Sequence, residues 1–363
     1  MIDLQKIIGQ FNIAGTVSAI APYGSGHIND TYRVETKEPE AFDYILQRIN
    51  HKIFTNVPAL MENIERVTKH IRLKLEAIPG TDPDREGLTL VPAADGKYYY
   101  QDAEGSYWRV YLFISNNRSY DIVDSPEKAY QGGKMFGKFQ AMIADLPGRP
   151  LYEIIPNFHN IEWRLETYRT TLEKDPAGRA GRVKTETAFV LGRAEEMGTI
   201  LRLGREGKIP LRITHNDTKF NNVLLDSNDK GLCVIDLDTV MPGYVHYDFG
   251  DSIRTSTNTG AEDDPDLSRV EMDIRMFEGY TKGFLEETRK TLNTVELDNL
   301  ALSGKLLPYM IGLRFLTDYV DGDHYFKIKH EHHNLQRARA QFKLLTSMER
   351  QFGEMRRIVK RNA

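Results

Sequence analysis

The sequence predicts an α+β fold of two lobes, a small β-rich N-terminal lobe over residues 1–115 and a larger, mostly helical C-terminal lobe over residues 116–363. Three observations lead there. A length of 363 residues exceeds what most single hydrophobic cores organise. Alternating β-type patterns and glycine turns crowd the first third. Helical three-and-four spacing dominates the remainder, broken by a β-like stretch over residues 211–238.

Residues 16–23 alternate and meet Gly24-Ser25-Gly26, after which residues 31–36 return as the second strand of a hairpin. The segment YILQRI, residues 44–49, reads as a third strand. Between residues 58 and 75, Leu60, Met61, Ile64, Val67 and Ile71 fall on one helical face. Two strands over residues 97–101 and 107–114 follow, joined by the turn Asp102-Ala103-Glu104-Gly105. Ser115-Asn116-Asn117-Arg118 is a polar connector, which places the cleft between lobes near residue 116. Ser125 then offers an N-cap, with Pro126 and Glu127 in the first turn of a helix running through Ala144. Short β-like runs recur at residues 211–214, 223–225 and 232–235. Residues 334–359, with Leu335, Phe342, Leu345, Met348, Phe352 and Met355 among charges, predict a long amphipathic helix.

Composition narrows the function classes. A net charge of −4 with both signs mixed along the chain gives no electrostatic footprint for nucleic acid or anionic lipid. The single cysteine, Cys233, has neither a disulfide partner nor zinc companions, which fits a reducing compartment. The opening MIDLQKIIGQF carries Asp3 and only a short apolar run, unlike a signal peptide or membrane span. A cytoplasmic protein without nucleic-acid or membrane partners is expected; oligomeric state is not legible.

The chemistry concentrates in THNDTKFNN followed by VIDLDT. Asp217 supplies a candidate base, and Asn222 and Asp236 supply two oxygen ligands for a hard cation. Magnesium needs few protein oxygens, because waters and phosphate oxygens complete its shell. Singly, these residues read as turn formers or strand caps. As an ordered set between strand-like runs they read as a phosphoryl-transfer site. The arrangement resembles the catalytic loop and metal-binding Asp of the protein-kinase-like fold, and His215-Asn216-Asp217 in place of His-Arg-Asp is similar to the aminoglycoside phosphotransferase and choline kinase superfamily.

Asp248-Phe249-Gly250 spells the kinase DFG motif but lies 31 residues after Asp217, whereas the kinase motif falls roughly twenty residues on. Asp236, 19 residues after Asp217, takes the metal position, and Asp248 and Asp251 are read as structural or substrate-side residues. No APE-type segment follows, which disfavours a protein substrate. In the small lobe, Gly24, Ser25 and Gly26 would bring backbone N–H groups close to ATP phosphates. Arg48 stands where kinases place a phosphate-binding lysine, with Glu65, or Glu62, on the following helix to hold it; a surface ion pair is the alternative.

The longer strings PYGSGHINDTY, YILQRIN, RVYLFI, PLRITHNDTKFNN, IDLDTVMPG, DFGDSIR and RFLTDYVDGDHYF resemble the bacterial N-acetylhexosamine 1-kinases from about residue 16 to about residue 345. That resemblance implies ATP and Mg2+ as cofactors, a small-molecule sugar substrate, and phosphorylation of the anomeric hydroxyl of GlcNAc or GalNAc. It also implies that His27, Asp217, Arg314 and Tyr325 hold the sugar. Read from the residues alone, Arg314 would pair with Asp318 one turn on, and Tyr325 would be a core aromatic. Thr255 stands where the family carries an aromatic, which leaves the preferred sugar open. The rivals are a kinase of the same fold for a non-sugar alcohol such as an aminoglycoside, choline or homoserine, whose amine would want a carboxylate or aromatic cage that Asp248, Asp251, Asp318, Asp321 and Asp323 could supply, and an inactive ligand-binding homologue.

Overall fold

The structure, a computed structural model, describes residues 2–24 and 28–363. The chain forms two compact units. The first comprises Met1–Arg118, Asp145–Ile155 and Leu224–Met241, the second Ser119–Ala144, Pro156–Val223 and Pro242–Ala363. The first unit is therefore discontinuous, where a single boundary at residue 115 was expected. The reason is apolar: the late hairpin Val223–Leu225 and Gly231–Val234 buries Leu224, Leu232 and Cys233 with Ile114.

In the first unit, strands β1 (Val17–Pro22), β2 (Asp30–Thr36), β3 (Tyr44–Ile49), β4 (Leu90–Val91), β5 (Tyr100–Gln101) and β6 (Tyr107–Leu112) form one antiparallel sheet of order β1-β2-β3-β6-β4, with β5 also on β6. The strand expected over residues 97–101 shrinks to two residues, following a turn in which Asp95 accepts the Lys97 N–H at 3.0 Å. Alternation sorts the faces. Tyr44, Leu46, Trp108 and Val110 share a core with Ile7, Ile8 and Phe11, whereas Gln47 and Arg109, directly opposite each other, point the other way. That second face meets helix α1 (Val57–Glu76), where Met61 Sδ lies 4.0 Å from Arg109 Nη1. Helix α1 starts at an Asn56 cap that accepts the Ala59 N–H at 3.2 Å, and it buries Leu60, Ile64 and Val67 as their spacing requires.

The second unit is mainly helical. Ser125 caps α2 (Pro126–Ile143) by accepting from the Lys128 N–H at 3.2 Å. The remaining long helices are α3 (Ile161–Lys174), α4 (Val245–Ser256), α5 (Ile274–Thr288), α6 (Thr294–Asp321) and α7 (His333–Asn362). An Asn293–Glu296 capping box opens α6, whose residues 300–313 are buried on every side in the unit's main core. Helices α2 and α5 pack backbone to backbone: a Cβ on Gly133 would lie 2.1 Å from the Tyr280 carbonyl oxygen. Two short strands, β7 (Arg212–Thr214) and β8 (Met241–Gly243), pair and carry the loop that follows Thr214. Among the described residues no helix is long and apolar enough to cross a membrane.

Candidate active site

The loop after β7 is held from below. Gly243 makes room for it, since a Cβ there would sit 2.2 Å from Thr214 Oγ1. His215 is fully buried, edge-on to Phe136 and Phe139 with ring centroids 5.5 and 5.6 Å away. Asn216 adopts a left-handed φ of 66° and folds its side chain back onto Thr214. The carboxylate of Asp248 accepts the His215 N–H at 2.8 Å, the Asn216 N–H at 2.7 Å and the Gln140 amide at 2.5 Å. Burial pushes its carboxyl above the ordinary range, opposed by His215 and these donors. One turn along α4, Asp251 accepts the Thr218 N–H at 3.1 Å and pairs with Arg254 at 2.8 Å. The DFG-like string is thus helical scaffold beneath the loop, because helical spacing aims both carboxylates at its backbone donors.

This scaffold presents Asp217, half-buried. Its Oδ2 lies 3.2 Å from Lys219 Nζ and 3.4 Å from Asn222 Nδ2, which also donates to the Asp217 carbonyl at 2.8 Å. The tight turn Phe220–Asn222 brings the two residues together. With its N–H groups spent on Asp217, Asn222 has its amide oxygen left for a hard cation. Asp236 belongs to the first unit. It takes a left-handed conformation, φ 63° and ψ 62°, at the end of the strand Gly231–Val234 and before the turn Leu237–Thr239. Amide and carboxylate oxygens suit magnesium.

Of the glycine segment, Gly24 has a φ of 78°; Ser25, Gly26 and His27 lie outside the described residues. Arg48 stands opposite Asp30 in the β2–β3 ladder and pairs with it at 2.5 Å, both partly exposed. Glu65 binds Lys69 at 2.7 Å and Glu62 binds Arg149 at 2.5 Å. The expected pairing of Arg48 with either glutamate is therefore corrected. Adjacent strand residues face opposite sides, and Arg48 points away from the face on which α1 lies. On that face the buried cation is Arg109, 1% exposed, which grips Asp238 through both terminal nitrogens, Nη2 to Oδ2 at 2.9 Å, and donates Nε–H to Gln47 at 2.9 Å. Asn29 adds a bond to the same carboxylate at 2.6 Å. Sequence reading missed Arg109 and Asp238; the signals were the second aspartate of IDLDT and the inward alternation of WRVYL.

In the second unit Arg314 does not pair with Asp318. Its guanidinium lies among the rings of Phe158, Tyr325 and Phe326, 5.3, 5.8 and 5.5 Å from their centroids. Asp318 instead accepts the backbone N–H groups of Tyr325 and Phe326 at 2.8 and 2.9 Å and the Asn334 amide at 2.8 Å. Tyr325 is 64% exposed, so it is no core aromatic. His159, next to Phe158, packs edge-on against it and reaches the Asn216 carbonyl at 3.3 Å, which ties this aromatic wall to the Asp217 loop. Burial holds the His159 imidazole down to about 3, so it stays neutral. Arg164, also absent from the sequence reading, donates to the Phe158 carbonyl at 3.0 Å and is lowered to about 9 by burial and by Arg314. Asp323 is taken up by Arg179 at 2.5 Å and Asn334 at 2.8 Å. Thr255 turns its hydroxyl onto the Asp251 carbonyl at 3.1 Å.

An antiparallel N-terminal sheet followed by a helical region that displays an Asp–Asn loop defines a phosphotransferase of the protein-kinase-like fold. Residues 19–280 match the model of APH, the phosphotransferase enzyme family, and the chain belongs to that family as an ATP-dependent phosphotransferase. Solved structures share the fold across nearly the whole chain. An aminoglycoside phosphotransferase from Alicyclobacillus acidocaldarius is 13% identical with a TM-score of 0.62, covering 98% of this chain and 97% of that one. A microcompartment-associated aminopropanol kinase is 18% identical with a TM-score of 0.63 and 97% coverage of both chains. A choline/ethanolamine kinase family protein from Mesorhizobium loti is 15% identical with a TM-score of 0.56, covering 96% of this chain and 94% of that one. At these identities the likeness concerns the fold.

Proposed function

We propose that this kinase transfers the γ-phosphate of ATP to the anomeric C1 hydroxyl of an N-acetylhexosamine, giving the hexosamine 1-phosphate and ADP. The supporting observation is the character of the wall beside the Asp217 loop. Arg314 and Tyr325 offer hydrogen-bond donors and an exposed ring suited to a hydroxyl-rich, uncharged sugar. An amine-bearing alcohol would want a carboxylate or an aromatic cage there, and the carboxylates are taken. Four of the five aspartates that would form such a cage, Asp248, Asp251, Asp318 and Asp323, are committed to backbone N–H groups, amides or arginines. A fixed guanidinium at Arg314 repels an ammonium group besides.

Asp217 accepts the C1 hydroxyl proton as that oxygen attacks the γ-phosphorus in line and the bond to the β-phosphate oxygen breaks. Asn222 keeps the Asp217 carboxylate aimed through its 3.4 Å contact, and Lys219 partly offsets its charge. Asn222 and Asp236 are the residues that would hold magnesium, which when bound offsets charge on the β- and γ-phosphate oxygens. The backbone at Gly24 and Ser25-Gly26 is assigned to the phosphates, and His27, with Arg314 and Tyr325, to the sugar.

The test is ADP release with MgATP and a panel of GlcNAc, GalNAc, glucose, choline, ethanolamine and an aminoglycoside, followed by NMR assignment of the phosphorylated carbon. Turnover restricted to hexosamines with phosphate on C1 is expected, and Asp217→Asn should lower kcat at least about 1,000-fold while ATP still binds. Preferred turnover of an amine-bearing alcohol, or phosphate on C6, would overturn the assignment.

A further inference from the structure

We infer that the buried Arg109–Asp238 ion pair is a positioning device for Asp236, filling the place that the sequence offered to Arg48 and a helix glutamate. The inference rests on the proposed role of Asp236 as a magnesium ligand and concerns what fixes its geometry.

Asp236 sits at φ 63°, a left-handed conformation that asparagine and aspartate adopt more readily than other residues but that is still less favourable than an extended one. Two residues on, Asp238 is 3% exposed and gripped by both terminal nitrogens of Arg109. Two residues further, the Val240 carbonyl accepts a bond from Asn63 of α1 at 3.0 Å. The segment is thus held at both alternate positions after Asp236.

The pins lead to the glycine segment. Asn29 donates to Asp238 at 2.6 Å and accepts the Asn50 N–H at 2.9 Å, while Gln47, bonded to Arg109, also donates to Thr31 Oγ1 at 3.0 Å. One hydrogen-bonded network, buried at Arg109 and Asp238, therefore joins Asn29 and Thr31, strands β3 and β6, and the segment after Asp236. A buried ion pair is poor evidence for stability, since apolar residues of similar volume often serve as well; its attested use is to specify one geometry. Arg109 lies on the same sheet face as α1, where Arg48 does not.

The measurement is Mn2+ affinity by EPR in the presence of a non-hydrolysable ATP analogue, alongside a steady-state magnesium titration. Arg109→Met and the double variant Arg109→Met with Asp238→Leu are compared with the parent, and circular dichroism melts verify folding. The double variant replaces the charges with apolar volume, so it decides the matter if the single variant fails to fold. Both are expected to raise the half-saturating metal concentration at least tenfold while leaving the hexosamine KM within threefold. A folded double variant with the parent's metal affinity would show the pair to be structural only. A metal defect in Arg48→Ala without one in Arg109→Met would likewise overturn the inference. Because the EPR arm needs no acceptor, failure of the hexosamine assignment would appear separately, as a parent that binds metal and analogue but turns over no hexosamine. A parent that binds no metal with the analogue would sink both.

Discussion

Replacing Asp248 with Asn separates a DFG-type metal ligand from a scaffold carboxylate. Three donors converge on Asp248: the His215 N–H and the Gln140 amide on Oδ2, and the Asn216 N–H on Oδ1. Asparagine offers only one accepting oxygen. If that oxygen takes the Oδ2 position, its NH2 group faces the Asn216 N–H, donor against donor, at a contact now 2.7 Å long. One charge-assisted bond is lost and one buried N–H goes unsatisfied, together about 2–4 kcal/mol. For a helical unit of this size that lowers Tm by on the order of 5–10 °C. Asn216, at a φ of 66°, is the residue released, and Asp217 follows it, so a shift of about 1 Å should cut kcat by roughly 100-fold. Calorimetry and steady-state kinetics with a magnesium titration read all three quantities. The expected pattern is lower Tm and lower kcat with the half-saturating magnesium concentration unchanged. A raised magnesium requirement would make Asp248 a metal ligand and refute the reasoning.

Arg314→Met should raise the hexosamine KM roughly 10–100-fold and leave the KM for ATP within about twofold, since lost hydrogen bonds from a charged donor are worth about 1.5–3 kcal/mol; an unchanged hexosamine KM would remove Arg314 from the acceptor wall. Stability should fall on acidification from pH 7 to 5. His159 and His246 are held by burial down to about 3 and about 4 against an ordinary 6.5, so below 6.5 the unfolded chain binds protons that the folded chain refuses. The loss at pH 5 is about 2 kcal/mol for each, and His246→Gln should flatten the dependence of Tm on pH. Gly133→Ala should destabilise the helical unit by about 1–3 kcal/mol or more, because its Cβ would lie 2.1 Å from a backbone oxygen of α5 and neither helix can yield alone; a melt unchanged from the parent would contradict the close packing.

Periodicity and local chemistry were written plainly in the chain. Helix α1 and strands β1, β2, β3 and β6 lie where alternation and three-and-four spacing put them, and Ser125 caps α2, because these patterns depend on residues two to four positions apart. The proximity of Asp217 and Asn222 is of the same kind, set across five positions by the turn Phe220–Asn222. The two-residue strand β4 was too short to leave a pattern.

The partners of charged side chains were decided elsewhere. Arg109 finds Asp238 at a separation of 129 residues, and Gln140 finds Asp248 at 108. Arg48 and Gln47 are neighbours in sequence, yet only the packing of α1 on one face of the sheet determines which of them looks inward. The family resemblance and the Asp217, Asn222, Asp236 order came from the sequence by itself. That Asp248 supports the loop, that Arg314 faces aromatic rings and not Asp318, and that the buried cation of the sheet is Arg109 follow from tertiary contacts. The physical reason is that a carboxylate or guanidinium withdrawn from water must be neutralised by whatever group the fold brings to it, and chain distance carries no information about which group that is.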